Sequence, residues 1–166
     1  MLAATPALIA GCDRKPKTVP MHDGRPTPSG LPVPRYVSLK FDEVNARGGP
    51  GDDYKLQWVY RTRGLPLQVI AETRDWRRVC DPEGGVAWVH RRTVDAPRTV
   101  MRVKPEPLPL SRSPRTDSVP VAVLGGRSLA PLDVCRAGWC QIEVQKRKGW
   151  VKEGEVWGAS EAPVCK

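Results

Sequence analysis

The chain has 166 residues, 27 basic against 18 acidic side chains, a formal charge of +9 and 40% hydrophobic residues. That length allows one medium domain or two small ones, and 18 prolines with 15 glycines favour short strands and turns over long helices. No run reaches the ~20 apolar residues of a membrane-spanning helix, and the basic excess is spread thinly along the chain, which argues against a nucleic-acid partner and leaves a solvated surface or an anionic envelope partner.

Residues 2–11 form a small, uncharged, apolar run that stops at Cys12, after which the chain turns at once to Asp13-Arg14-Lys15-Pro16-Lys17. Ile9-Ala10-Gly11-Cys12 resembles the bacterial lipobox, and that resemblance implies that residues 1–11 are the remnant of an export signal and that the Cys12 thiol carries lipid. No basic residue precedes Cys12, so a start upstream of Met1, secretion without lipid, or an ordinary apolar terminus all stay open. Residues 12–35 carry Pro16, Pro20, Pro26, Pro28, Pro32 and Pro34 with few apolar groups. Such a segment is expected to be a disordered, extended tether.

From residue 36 the sequence repeats. Trp76 and Trp139 lie 63 positions apart, Trp88 and Trp150 lie 62 apart, and each second tryptophan sits in a Gly/Ala-Trp-Val run. A repeat of this size means one folding unit used twice. The first unit is read as 36–95, the second as 108–158, with a proline-bearing linker at 96–107 and a tail at 159–166. Within the first unit, Leu67, Val69 and Ala71 alternate with Gln68, Ile70 and Glu72. Trp76–Cys80 and Val86–Val89 then flank the turn cluster Asp81-Pro82-Glu83-Gly84-Gly85, which predicts a hairpin. Lys146-Arg147-Lys148-Gly149 is expected to turn the matching hairpin of the second unit. The fold class is therefore all-β: two small closed sheets of about five strands each, with Trp88 and Trp150 expected in their cores.

Val44-Asn45-Ala46-Arg47-Gly48-Gly49-Pro50-Gly51 resembles the motif that opens bacterial SH3-like domains, and Gly64–Val69, Trp76–Val79 and Ala87-Trp88-Val89 match the rest of that pattern. The second unit follows it from Leu129 onward, but its opening, Leu110-Ser111-Arg112-Ser113-Pro114, lacks the glycines. The resemblance implies tandem SH3-like β-barrels without a catalytic role that bind an envelope ligand: peptidoglycan or its peptides on one reading, an envelope protein on the other.

The residues themselves offer little catalysis. The only histidines are His22 and His90, and Cys80 with His90 lacks a third group and a cleft-forming domain. No cofactor or metal motif is present: Cys135 and Cys140 stand five apart without a neighbouring histidine or second cysteine pair. Candidate ligand-binding residues are Arg47, Tyr54, Trp58 and Tyr60 around the opening loop, with Trp76 and Trp139 at strand starts. Core packing explains the aromatic members equally well. Setting Cys12 aside leaves an even set of cysteines, which suits an oxidising compartment such as the periplasm. Cys135 and Cys140 flank Arg136-Ala137-Gly138-Trp139, a stretch short enough to turn between strands, so a disulfide across that hairpin is expected, against two free thiols as the alternative. Cys80 and Cys165 form a weaker second pair that would strap the tail onto the first unit.

Overall fold

The structure, a computed structural model, describes residues 21–22, 25–160 and 165. The expected signal remnant, and with it Cys12, lies outside the described residues. β1 (Met21–His22) and β2 (Arg25–Pro26) form a two-stranded ladder ahead of the first unit. That unit is a seven-stranded antiparallel sheet containing β3 (Arg35–Leu39), β4 (Val44–Arg47), β5 (Leu56–Tyr60), β6 (Pro66–Glu72), β7 (Trp76–Cys80), β8 (Val86–His90) and β9 (Val94–Asp95), in the spatial order β5-β4-β8-β7-β6-β3-β9. Val37, Val44, Ala46, Tyr60, Leu67, Val69, Val79, Ala87 and Val89 come from six different strands yet form one cluster, so the sheet wraps around a single core. Alternation along each strand supplies the inward residues.

The second unit has the same plan, with β10 (Thr99–Met101), β11 (Leu108–Ser111), β12 (Pro120–Leu124), β13 (Leu129–Arg136), β14 (Trp139–Val144) and β15 (Arg147–Lys152) in the order β10-β13-β14-β15-β11-β12. Its core holds Val100, Leu110, Ala130, Ile142 and Val151 at the places of Val37, Ala46, Leu67, Val79 and Val89. Both units bulge at the same point of the β6–β7 and β13–β14 ladders, between Val69 and Ala71 and between Leu132 and Val134. The only helical turns among the described residues are 3-10 turns at Arg91–Thr93 and Glu153–Glu155.

Four expectations are revised. Residues 96–107 are not a free linker, because Thr99–Met101 forms β10 and pairs with β13, burying Val100 completely. Pro97, Pro105 and Pro107 bracket this strand, and their density hid the apolar position between them. The later part of 12–35 is not free chain either. Thr27 is buried, and Ser29 donates to Glu72 from its amide at 2.9 Å and its hydroxyl at 2.6 Å. Glu72, with a side chain 1% exposed, also accepts from Arg35 at 2.6 Å and pairs with Arg77 at 3.2 Å. The turn of the second hairpin sits at Gln145 and Lys146, whose φ angles are 49° and 64°, rather than at Lys146–Gly149. Gly149 is a strand residue: a Cβ there would lie 2.6 Å from Leu110 Cβ and 2.9 Å from Val121 Cγ2. Finally, Trp88 is half-buried and points away from the core that its neighbours Ala87 and Val89 enter. Trp150 is buried as expected, at 5% exposure, on the outer side of the sheet under the Arg136 guanidinium at 4.7 Å.

The units touch through a polar and aromatic junction. The Thr99 amide donates to Ser38 Oγ at 3.2 Å, Ser38 and Thr99 hydroxyls meet at 2.9 Å, and the Thr99 hydroxyl also donates to the Gly64 carbonyl. Trp157 Nε1 donates to the Pro66 carbonyl at 2.9 Å while its ring meets Tyr36 edge-on at 5.6 Å. Arg98 stacks over Tyr36 at 5.8 Å and donates to the Gly158 and Ala159 carbonyls at 2.6 and 2.9 Å. Burial pushes the Tyr36 hydroxyl pKa up to about 12 despite the nearby Arg98 charge. Two disulfides are present. Cys135–Cys140 joins directly paired positions of the β13–β14 hairpin, with Cα atoms 4.0 Å apart. The loop between them places Ala137 and Gly138 at φ 48° and 76°, the geometry of a tight hairpin turn. Cys80–Cys165 ties the end of the chain to β7, with Cα atoms 6.2 Å apart.

Candidate functional site

The β7–β8 hairpin organises the site. Asp81 caps its turn: Oδ1 accepts from the amides of Glu83 at 3.0 Å and Gly85 at 2.8 Å. That turn sets the register Cys80↔Val86, Arg78↔Trp88 and Trp76↔His90. Cross-strand partners share a face, so Trp76, Arg78, Trp88 and His90 stand together on the side of the sheet away from the core. β4 joins them through Arg47↔Trp88. Asn45, Arg47, Asp52, Trp76 and His90, with Glu43, Val44 and Thr93, line an open pocket of about 360 Å³.

Each wall of this pocket has a physical reason for its position. Trp76 is 8% exposed and meets the His90 ring edge-on at 5.3 Å, so it forms a hydrophobic floor. His90 Nδ1 accepts from the Arg92 amide at 3.2 Å. A neutral His90 therefore carries its proton on Nε2, which is left as a donor. Arg47 donates to the Tyr54 carbonyl at 2.9 Å and lies 3.6 Å from Asp52, whose side chain is 87% exposed. The loop that carries Asp52 is tightly folded: a Cβ at Gly49 would collide with the Tyr54 ring at 2.1 Å, and one at Gly51 would stand 2.4 Å from Asp53 Oδ1.

The structure brings Arg47 and Trp76 together in this pocket and places the other candidates elsewhere. Tyr54 is exposed, with its ring covering the loop glycines. Trp58 and Tyr60 face inward, packed edge-on at 5.9 Å and belonging to the core side of β5. Tyr60 donates to Asp81 Oδ2 at 3.1 Å, and burial together with the Asp81 charge raises its pKa well above the ordinary value. Trp139 sits in the second unit, with Lys152 6.0 Å over its ring. Cys80 is bonded to Cys165 and pairs with Val86, four positions along β7 from the Trp76↔His90 pair. Sequence reasoning missed Asn45, Asp52, Trp88 and His90 as neighbours of Arg47. Counting outward from the Asp81–Gly85 turn would have placed His90 opposite Trp76 and Trp88 opposite Arg78.

The two units are not equivalent here. Ser111 takes the place of Arg47 opposite Trp150, and Pro109 takes that of Asn45. Gln141 replaces Arg78. The second unit thus keeps the tryptophans but lacks the polar wall.

Comparison with known proteins places this architecture. No curated protein matches the sequence. Among solved structures, NlpC1 from Trichomonas vaginalis is similar at 12% identity and a TM-score of 0.35, over 75% of this chain and 45% of that one. NlpC2 from Trichomonas vaginalis is similar at 10% identity and a TM-score of 0.36, over 76% of this chain and 49% of that one. The chain spans just under half the length of both, and a likeness this distant carries no argument about what the chain does. The family model for the bacterial SH3 domain matches residues 40–96 and again 104–158, one copy on each sheet. The chain belongs to the bacterial SH3 domain family and carries two tandem copies of that domain.

Proposed function

We propose that this chain is a non-catalytic binding module of the bacterial cell envelope that engages peptidoglycan or its peptides through the first SH3 domain, with the second domain acting as a brace. The observation that carries this reading is the open Asn45–Arg47–Trp76–His90 pocket of the first domain, whose wall the second domain lacks. An aromatic floor with a few convergent polar groups is the usual make-up of a small ligand site. Two disulfides support function outside the cytoplasm. The lipobox-like Ile9–Cys12 supports attachment to the membrane through Cys12.

Sedimentation with purified sacculi tests the reading. The full-length protein should co-sediment, and Arg47→Ala with Trp76→Ala should abolish it while Trp139→Ala leaves it intact. Failure of the unmodified protein to sediment would overturn wall binding and leave the interaction-module reading. Incorporation of a palmitate analogue into the wild type but not into Cys12→Ala is the expected result for the anchor.

A further inference from the structure

Across β4, β8 and β7 the register places Arg47, Trp88 and Arg78 in one row, with Trp88 in the middle. Neighbouring strands lie ~4.8 Å apart, so the two arginines rise on either side of one indole. Arg78 is exposed, and its side chain makes no hydrogen bond or ion pair with any described residue. Among the described residues, the Arg47 side chain is committed only through its Tyr54 carbonyl contact and a long pair to the exposed Asp52. The other acid of the neighbouring pocket, Glu43, is engaged by Arg61. The row is thus a half-buried aromatic surface flanked by two guanidinium groups with donors that no described residue takes up.

The second domain shows what such a ring accepts. Trp150, the counterpart of Trp88, is covered by the planar Arg136 guanidinium at 4.7 Å and falls to 5% exposure. Its flanking positions are Ser111 and Gln141, both neutral. In the first domain no cation among the described residues lies over the Trp88 ring, and the flanks are cationic. A cation of the Arg136 kind would be repelled there. A planar amide carrying carboxylates on either side fits both features.

We infer that the Arg47–Trp88–Arg78 row binds an extended peptide bearing carboxylates, with a peptide plane stacked on Trp88 and a carboxylate paired to each arginine. Guanidinium forks match carboxylates bidentately, and an extended chain presents alternate side chains on one face ~7 Å apart, within reach of two long arginine side chains. This rests on the envelope-binding reading only for the origin of the peptide, which would supply free stem-peptide carboxylates. It extends that reading from the Trp76 pocket to the neighbouring row and sets the charge of the ligand.

The test is titration of the full-length protein with hexaglutamate, hexaglutamine and hexalysine, followed through the six indole N–H resonances. Hexaglutamate should shift the Trp88 resonance in a saturable, salt-sensitive manner, and the other two peptides should not. Arg78→Gln and Arg47→Gln should each weaken binding about fivefold, and Trp88→Leu should remove it. Equal response to hexaglutamine, or an unchanged affinity in Arg78→Gln, would overturn the inference. Sacculi with their carboxylates amidated provide the second arm. Loss of sedimentation on amidation supports a wall source, and hexaglutamate binding without any sedimentation moves the source to an acidic protein segment and sinks the wall reading alone. Sedimentation that persists in Arg47→Gln/Arg78→Gln sinks the row and leaves the wall reading standing.

Discussion

Removing the Cys80–Cys165 disulfide should destabilise the protein about twice as much as removing Cys135–Cys140. The two bonds close loops of very different size, with sequence separations of 85 and 5. In the chain-entropy account a crosslink acts on the unfolded ensemble, and its effect grows with the logarithm of the loop. That gives about 4–5 kcal/mol for the long loop and about 2 kcal/mol for the short one. Cys165→Ser is the cleaner perturbation, because Cys165 is only partly buried whereas Cys80 is fully buried and can remain as a small apolar residue. The comparison is Cys135→Ala/Cys140→Ala. Urea unfolding of both variants and the wild type, monitored by tryptophan fluorescence, gives the free energies. The m-value should also rise in Cys165→Ser, since an unfolded chain without the long crosslink exposes more surface. A loss under ~1 kcal/mol in Cys165→Ser, or a larger loss in the hairpin variant, would refute the reasoning. Either result would mean that the unfolded chain is already compact or that the long strap is not formed.

Other consequences follow from single contacts. Gly158 has φ +96°, and a Cβ there would stand 2.7 Å from the Thr99 carbonyl and 3.0 Å from Pro66 Cβ, so Gly158→Ala should cost about 2–3 kcal/mol and loosen the junction between the domains, seen as faster proteolysis between them. Trp150→Ala should cost about 3–5 kcal/mol by denaturant melt, and Trp88→Ala, at a half-buried position outside the core, only about 1–2 kcal/mol. Burial pushes the Glu72 carboxyl up, but hydrogen bonds from Ser29 and Arg35 and the Arg35 charge outweigh it, so its pKa lies below the ordinary 4.5. A depressed folded-state pKa contributes stability above the unfolded value that is lost as pH falls through the folded one, so wild-type stability should decline below about pH 5 and Glu72→Gln should flatten that slope.

The sequence alone was enough for the fold class and the duplication. Matching tryptophans, period-two alternation and turn clusters are local signals, and each strand's own residues carry them. The same holds for the Cys135–Cys140 bond, because a turn of four residues brings its own ends together. What the tertiary structure decided was which face of each strand is used and what covers it. Val100 reads as part of a proline-rich connection until β13 pairs with it and buries it. Gly149 reads as a turn residue until Leu110 closes on it from another strand. Trp58 and Tyr60 read as either a ligand face or core until the sheet closes with them inward, and Trp88, read as core, is left on the outer side between Arg47 and Arg78. An alternating strand has two equivalent faces, and only the closure of the whole sheet determines which one meets the core and which one meets a ligand.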